Sequence, residues 1–129
     1  MNILDENIPG HQRQILRSQR IRVRQTGYDV GRKGMKDDEI IPWLLAQRNP
    51  TFFTRDLGFC ERKLCHAHCC LVCLAVGRYE AATFIRRLLR HPEFNTQAKR
   101  MGTVIRVSHA RLKVWRLHAE QESVLSWSN

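Results

Sequence analysis

Thr51-Phe52-Phe53-Thr54-Arg55-Asp56-Leu57-Gly58-Phe59 is the stretch that decides how this chain folds. Four residues of strand-forming type run straight into a polar turn. The reading is a short buried strand with Asp56 where it stops. In an open α/β sheet, an acid leaving the carboxyl end of a strand points into the crevice where such folds bind ligands. The next question is which other acids reach the same edge.

Upstream, Met1-Asn2-Ile3-Leu4 is apolar and stops at Asp5-Glu6-Asn7, which predicts a first strand ending at its acids. Pro9-Gly10 breaks the chain, and residues 11–19 suit a short, mostly exposed helix around Ile15 and Leu16. Arg20-Ile21-Arg22-Val23-Arg24 alternates basic and apolar residues, predicting a second strand with one wet, positive face. Residues 27–34 read as a loop from their glycines. Asp37 or Asp38 is expected to cap a helix with Ile40, Ile41, Leu44 and Leu45 on one face. Pro42 fits only near a helix start, so the regular part is expected to begin close to it. Asn49-Pro50 ends it.

Downstream, residues 57–68 are expected to be helical. Cys69-Cys70-Leu71-Val72-Cys73-Leu74-Ala75-Val76 is an unbroken apolar run, as in a central parallel strand buried on both faces. Residues 79–91 give the clearest helix, with Ala82, Ile85, Leu88 and Leu89 inward and Arg86, Arg87 and Arg90 available to the other side. Thr103-Val104-Ile105-Arg106-Val107 and Leu112-Lys113-Val114-Trp115-Arg116 predict a terminal hairpin. The division expected is one domain over residues 1–118 and a polar tail over 119–129. Strands alternating with helices imply an α/β sandwich with a mostly parallel sheet and an antiparallel addition.

The 129 residues suffice for one core. With 43% hydrophobic and 26% charged residues, disorder of the whole chain is excluded. Every apolar run falls short of the ~18 residues of a membrane span, and no basic-then-apolar leader opens the sequence. The expectation is a cytoplasmic protein without a membrane partner. A net charge of +10, from 22 Lys and Arg against 12 Asp and Glu, favours a polyanion such as nucleic acid. Arg22, Arg24 and Arg55 are the candidate nucleic-acid contacts. The Arg86/Arg87/Arg90 face and Lys99, Arg100, Arg106, Arg111, Lys113 and Arg116 could also grip phosphates, although a solvated face is the plainer reading for any one of them.

Six of the twelve acids fall in three groups: Asp5/Glu6, Asp37/Asp38/Glu39 and Asp56. In a parallel sheet Asp5 and Asp56 leave strands at the same edge, and the helix start near Asp37 could face it. Carboxylates gathered without basic partners repel one another. A divalent cation relieves this, and hard oxygen ligands suit Mg²⁺ or Mn²⁺. Helix capping by Asp37/Asp38 and turn formation by Asp5 and Asp56 is the plainer alternative.

Leu4-Asp5-Glu6-Asn7-Ile8 resembles the D-x-N opening of PIN-domain proteins, and Thr54-Arg55-Asp56-Leu57-Gly58-Phe59 resembles their T-x-D-x-x-F segment. Gly34-Met35-Lys36-Asp37-Asp38-Glu39-Ile40 is similar to the G-x-x-D-E-E-I stretch of a compact PIN-like branch, some members of which look like toxin–antitoxin components. The order and spacing match across residues 1–116. The resemblance implies a Rossmann-like α/β/α sandwich and a Mg²⁺- or Mn²⁺-dependent ribonuclease cutting RNA at a backbone phosphodiester, with an antitoxin or a second copy as partner. By the same resemblance Asp5, Asp37 and Asp56 are metal ligands, and Asp38 stands beside Asp37 as an alternative catalytic acid. Asn7 braces the first-strand loop, Thr54 orients Asp56, and Glu6 and Glu39 are spare carboxylates. Related sequences often carry a further acid two residues after the Asp56 position, where this chain has Gly58. The alternatives are a PIN-like module that binds nucleic acid or protein without cutting, and a zinc-stabilised interaction module.

The zinc alternative rests on Cys60, Cys65, His66, His68, Cys69, Cys70 and Cys73. Its spacing argues against zinc. The one C-x₂-C, Cys70 to Cys73, lies inside the apolar run, where alternation sends the two to opposite faces. Buried, reduced core cysteines are the expectation for the strand, and Cys60 is expected to be exposed. Trp43 and Trp115 are expected to pack, whereas Trp127 in the tail could serve a partner.

Overall fold

The computed structural model describes residues 1–127. A seven-stranded sheet runs in the order β2-β1-β3-β4-β5-β6-β7. The strands are β1 (Asn2–Leu4), β2 (Arg24–Gln25), β3 (Thr51–Thr54), β4 (Cys70–Leu74), β5 (Thr103–Val107), β6 (Leu112–Arg116) and β7 (Ser123–Leu125). The first five are parallel, and β6 and β7 add antiparallel. This is an α/β architecture with a mostly parallel central sheet, consistent with a Rossmann-like fold.

β4 lies in the middle because it is apolar throughout and has no side chain to keep wet. All five of its residues are buried. Alternation sends Cys70, Val72 and Leu74 to one face and Leu71 and Cys73 to the other, as the strand period requires. Two apolar layers result. On one face, α1 (Gly10–Ser18) supplies Leu16 and α3 (Ala81–Arg90) supplies Ala82, Phe84, Ile85 and Leu88. On the other, α2 (Asp37–Leu45) supplies Ile40 and Leu44, which cover Ile3, Phe52 and Leu71. The short helix α4 (Gln97–Arg100) leads into β5. Among the described residues, no helix is long and apolar enough to cross a membrane.

Several expectations are corrected. The second strand is not residues 20–24 but Arg24–Gln25. Arg20 turns left-handed (φ 64°) where α1 ends, and the Ile21 amide donates back to the Leu16 carbonyl. Residues 20–23 are therefore the exit from a helix, with Val23 buried outside any ladder. Helix α2 begins at Asp37, so Pro42 sits inside it. The missing amide falls on the exposed side, where water can reach the orphaned Asp38 carbonyl. Neither Asp37 nor Asp38 caps this helix; the cap position is Lys36, and the acids occupy the first turn, facing the positive end of the helix dipole. Leu45 is exposed rather than packed.

Residues 57–68 are not a helix but two 3₁₀ turns, Leu57–Phe59 and Arg62–Leu64. Phe59 and Leu64 both anchor in the core under α2, five positions apart, a spacing no single helical face provides. The segment expected to be a polar tail contributes β7, and the Trp127 indole donates to the Ser108 carbonyl at 2.7 Å while its ring stacks against Phe84. Arg100 is buried, donating to Thr51 Oγ1 and the Phe94 carbonyl, so it is not exposed to phosphate.

The loop before α2 needs glycine at Gly27. Its φ is +81°, and an added Cβ would meet Glu6 Oε2 at 2.9 Å and the Lys33 Cα at 3.3 Å. Gly27→Ala is expected to cost about 1–3 kcal/mol in urea unfolding, from left-handed strain and the clash together.

Candidate functional site at the carboxyl edge

The strand order reverses between β1 and β3, since β2 lies to one side of β1 and β3 to β5 follow on the other. That makes the carboxyl ends of β1 and β3 the switch point where open α/β sheets leave a crevice. Asp5 is the first residue after β1, and Asp56 is the second after β3.

Asp5 is buried, with its own amide donating to the Phe53 carbonyl and so continuing the ladder. The Thr54 hydroxyl donates to Asp5 Oδ2 at 2.6 Å. The same Thr54 oxygen accepts from the Asp56 amide at 3.0 Å. One hydroxyl thus ties the two acid-bearing strand ends together. Burial pushes the Asp5 carboxyl above its ordinary range. The Thr54 bond, and the backbone amides of Asn7 and Glu6, oppose that without cancelling it.

Asp37, at the start of α2, is also raised: first by loss of solvent, then by the Asp56 charge and a hydrogen bond to it, and lastly by Asp38. Asp37 therefore stands near enough to Asp56 to feel its charge. Of its two acidic neighbours, Asp56 acts on Asp37 more strongly than the adjacent Asp38 does. Asp56 Oδ1 accepts from the Gly58 amide at 2.9 Å, which shapes the turn after β3.

The other sequence-expected residues are distributed less tightly. Glu6 is committed to the loop: its Oε1 accepts from the Gly34 amide at 2.8 Å, and its own amide donates to Thr26. Glu39 is paired with Arg32. Asn7 is exposed and reaches the site through its backbone amide. The brace expected of Asn7 is made by Gln25, fully buried, whose Nε2 donates to the Asp5 carbonyl at 3.0 Å and the Ile8 carbonyl at 2.7 Å. The only sequence signal for Gln25 is a polar residue closing an alternating run. Arg55 lies beside Asp56 with its Nε on the Val76 carbonyl, at the carboxyl edge. Arg24 pairs with Ile3 in the ladder, and the Arg22 carbonyl accepts from Asn2, which places both nearer the amino end of β1.

The donor set is of hard oxygens with excess negative charge, which suits Mg²⁺ or Mn²⁺. Asp5, Asp37 and Asp56 are the residues that would hold such an ion. Among the described residues, however, no three His, Cys, Asp or Glu side chains are gathered into a ready-made cage. All five cysteines are free thiols. Cys70 and Cys73 point to opposite faces, Cys60 is half-buried rather than exposed, and His66 and His68 are exposed.

Thr54→Val removes the bridging hydroxyl at constant shape. The Asp5 carboxyl is expected to titrate higher still, read by carbon-13 NMR, and stability at neutral pH to fall by about 1–3 kcal/mol, because a buried carboxylate and an amide lose a partner. No family model matches the chain, and neither a curated protein nor a solved structure matches it.

Proposed function

We propose that this chain is a metal-dependent ribonuclease of PIN-like type, acting through Asp5, Asp37 and Asp56 at the β1/β3 switch point. The observation that carries the reading is the meeting of acids at one edge: Thr54 links Asp5 to the Asp56 turn, and the charge of Asp56 raises Asp37. The resemblance of the three motifs to PIN-domain segments supports it. Mg²⁺ or Mn²⁺ bound by these carboxylates would supply charge neutralisation at a phosphoryl oxygen and a more acidic water. The chain's own part is to hold the carboxylates: Gln25 fixes the loop after β1, Thr54 orients Asp5, and the Gly58 amide orients Asp56. Arg55 is placed to meet a phosphate. Asp37, raised by loss of solvent and by the Asp56 charge, is the candidate to accept a proton from water.

An RNA substrate agrees with the surplus of positive charge. An antitoxin that covers the acidic edge, and a homodimer, belong to the same reading. β7 occupies the outer edge of β6, so the strand a second copy would meet on that side is β7.

One observation favours a second reading, a PIN-like module that binds without cutting. Gly58 stands where related sequences often carry another acid, and its amide occupies an oxygen of Asp56. Two measurements decide between the readings. RNA cleavage that requires Mg²⁺ or Mn²⁺ and stops on chelation supports the first. The melting temperature of the parent is also expected to rise with the metal, by mass action on the folded state, about 2.7 kcal/mol at a hundredfold excess over Kd. RNA binding with neither cleavage nor a metal-dependent shift leaves the second.

A further inference from the structure

The sheet register carries the carboxyl edge well beyond the acids. Thr54 pairs with Cys73, Cys73 with Arg106, and Arg106 with Lys113. With Asp5 bonded to Thr54, these residues form one row on one face: acid, hydroxyl, thiol, two cations. From strand spacing, Arg106 and Lys113 stand about 10–14 Å from Thr54.

Arg106 and Lys113 are directly opposed on neighbouring antiparallel strands. Like charges so placed destabilise a sheet unless something neutralises them. Both are exposed, and among the described residues neither forms an ion pair. Arg111, at the turn between the two strands, joins them around a shallow cavity of about 240 Å³, closed by Ser108. The acid on this side, Glu122, is not paired with them either. The cations are felt across the row: the Cys60 thiol, four residues after Asp56, is pulled down first by its hydrogen bond with Cys73, and then, against burial and Glu122, by Arg106 and more weakly Lys113.

We propose that Arg106, Arg111 and Lys113 form a phosphate-binding site for the backbone of a single-stranded nucleic acid whose reacting phosphodiester lies at Asp5 and Asp56. The site rests on the ribonuclease reading for its reacting end, but not for its ability to bind. It also replaces Arg22 and Arg24, at the far edge strand, as the main contact. Three cations against an unpartnered cavity fit a phosphodiester, and the row gives the strand a direct course from acids to cations.

The test is binding of a labelled single-stranded RNA, followed by anisotropy with EDTA present, across a salt series. The variant Arg106→Gln/Arg111→Gln/Lys113→Gln is compared with Arg20→Gln/Arg48→Gln/Arg78→Gln, which removes equal charge elsewhere on the exposed surface. Far-UV circular dichroism confirms folding of both. In the first variant the log–log salt slope is expected to fall by about 2, from ~0.7 per lost phosphate contact, with affinity roughly 10- to 100-fold lower at 0.1 M salt. The second should lose far less. Equal losses in both variants overturn the site, since net charge then explains the binding. Inorganic phosphate that shifts the Ser108 and Lys113 amides by NMR, with RNA binding unchanged in the first variant, also overturns it, because the source is then free phosphate. Because EDTA removes hydrolysis, the two readings fail separately. A selective slope loss with no cleavage by the parent upholds the binding site and ends the ribonuclease reading. Aspartate-dependent cleavage with an unchanged slope does the reverse.

Discussion

Asp5→Asn and Asp56→Asn are expected to fold, to lose about 10²-fold or more of any metal-dependent RNA cleavage, and in the Asp5 case to become more stable at neutral pH. Asparagine keeps the shape and can still accept from the Thr54 hydroxyl. What it lacks is the charge. The Asp5 carboxyl is raised above 3.8 by burial. An acid raised in the folded state keeps its proton longer there than in the unfolded chain. Its stability contribution is therefore full below the unfolded value, falls as pH rises through the raised folded value, and stays low above it. Asp37 adds in the same direction, because loss of solvent and the Asp56 charge also raise it. Urea midpoints of the parent should fall as pH rises from about 4, and those of Asp5→Asn should fall less. Adding Mg²⁺ should narrow the gap by stabilising only the parent. A variant less stable than the parent at pH 7, with metal absent, would remove the claim that the acids are held at a cost.

Phe52→Ala is the substitution with the largest expected effect on folding, about 3–5 kcal/mol. Phe52 is fully buried and in register between Ile3 and Leu71. Phe59 meets its ring edge-on, with centroids 5.7 Å apart. The loss is thus a cavity beneath α2 plus a freed anchor for the turn that carries Asp56. A domain of this kind has about 5–15 kcal/mol in total, so a large share disappears. Urea unfolding followed by circular dichroism measures it. A loss near 1 kcal/mol would mean that the layer under α2 collapses to fill the space.

The strands that make the centre were legible because their signals are local. Residues 69–76 read as a central strand from composition alone, and residues 103–107 and 112–116 from alternation. What escaped depends on distant partners. Nothing near residues 57–68 says that Phe59 must reach Phe52, so a helix was the natural reading. β7 has only Leu125 partly buried, and it exists because the open edge of β6 and the pocket for Trp127 receive it. At the site, Asp5 and Asp56 were legible from their places after strands. That the helix start at Asp37 could face the same edge was also legible; how near it comes to Asp56 was not, since that depends on the course of the glycine loop. The row from Thr54 to Lys113 exists only once register is known, because a one-residue slip would send every member to the opposite face.

The short outer strands have a consequence at high protein concentration. β2 offers an incoming chain two residues of open backbone, Arg24 and Gln25, shortly after Arg22, and β7 offers three. Ladders that short give a stray strand little to hold, and the charge beside β2 repels another copy. The long, greasy β4 that would nucleate fibrils if it lay at a border is shielded by three neighbours on each side. Self-association through sheet extension is therefore disfavoured, and the thin borders of the sheet act as its guard.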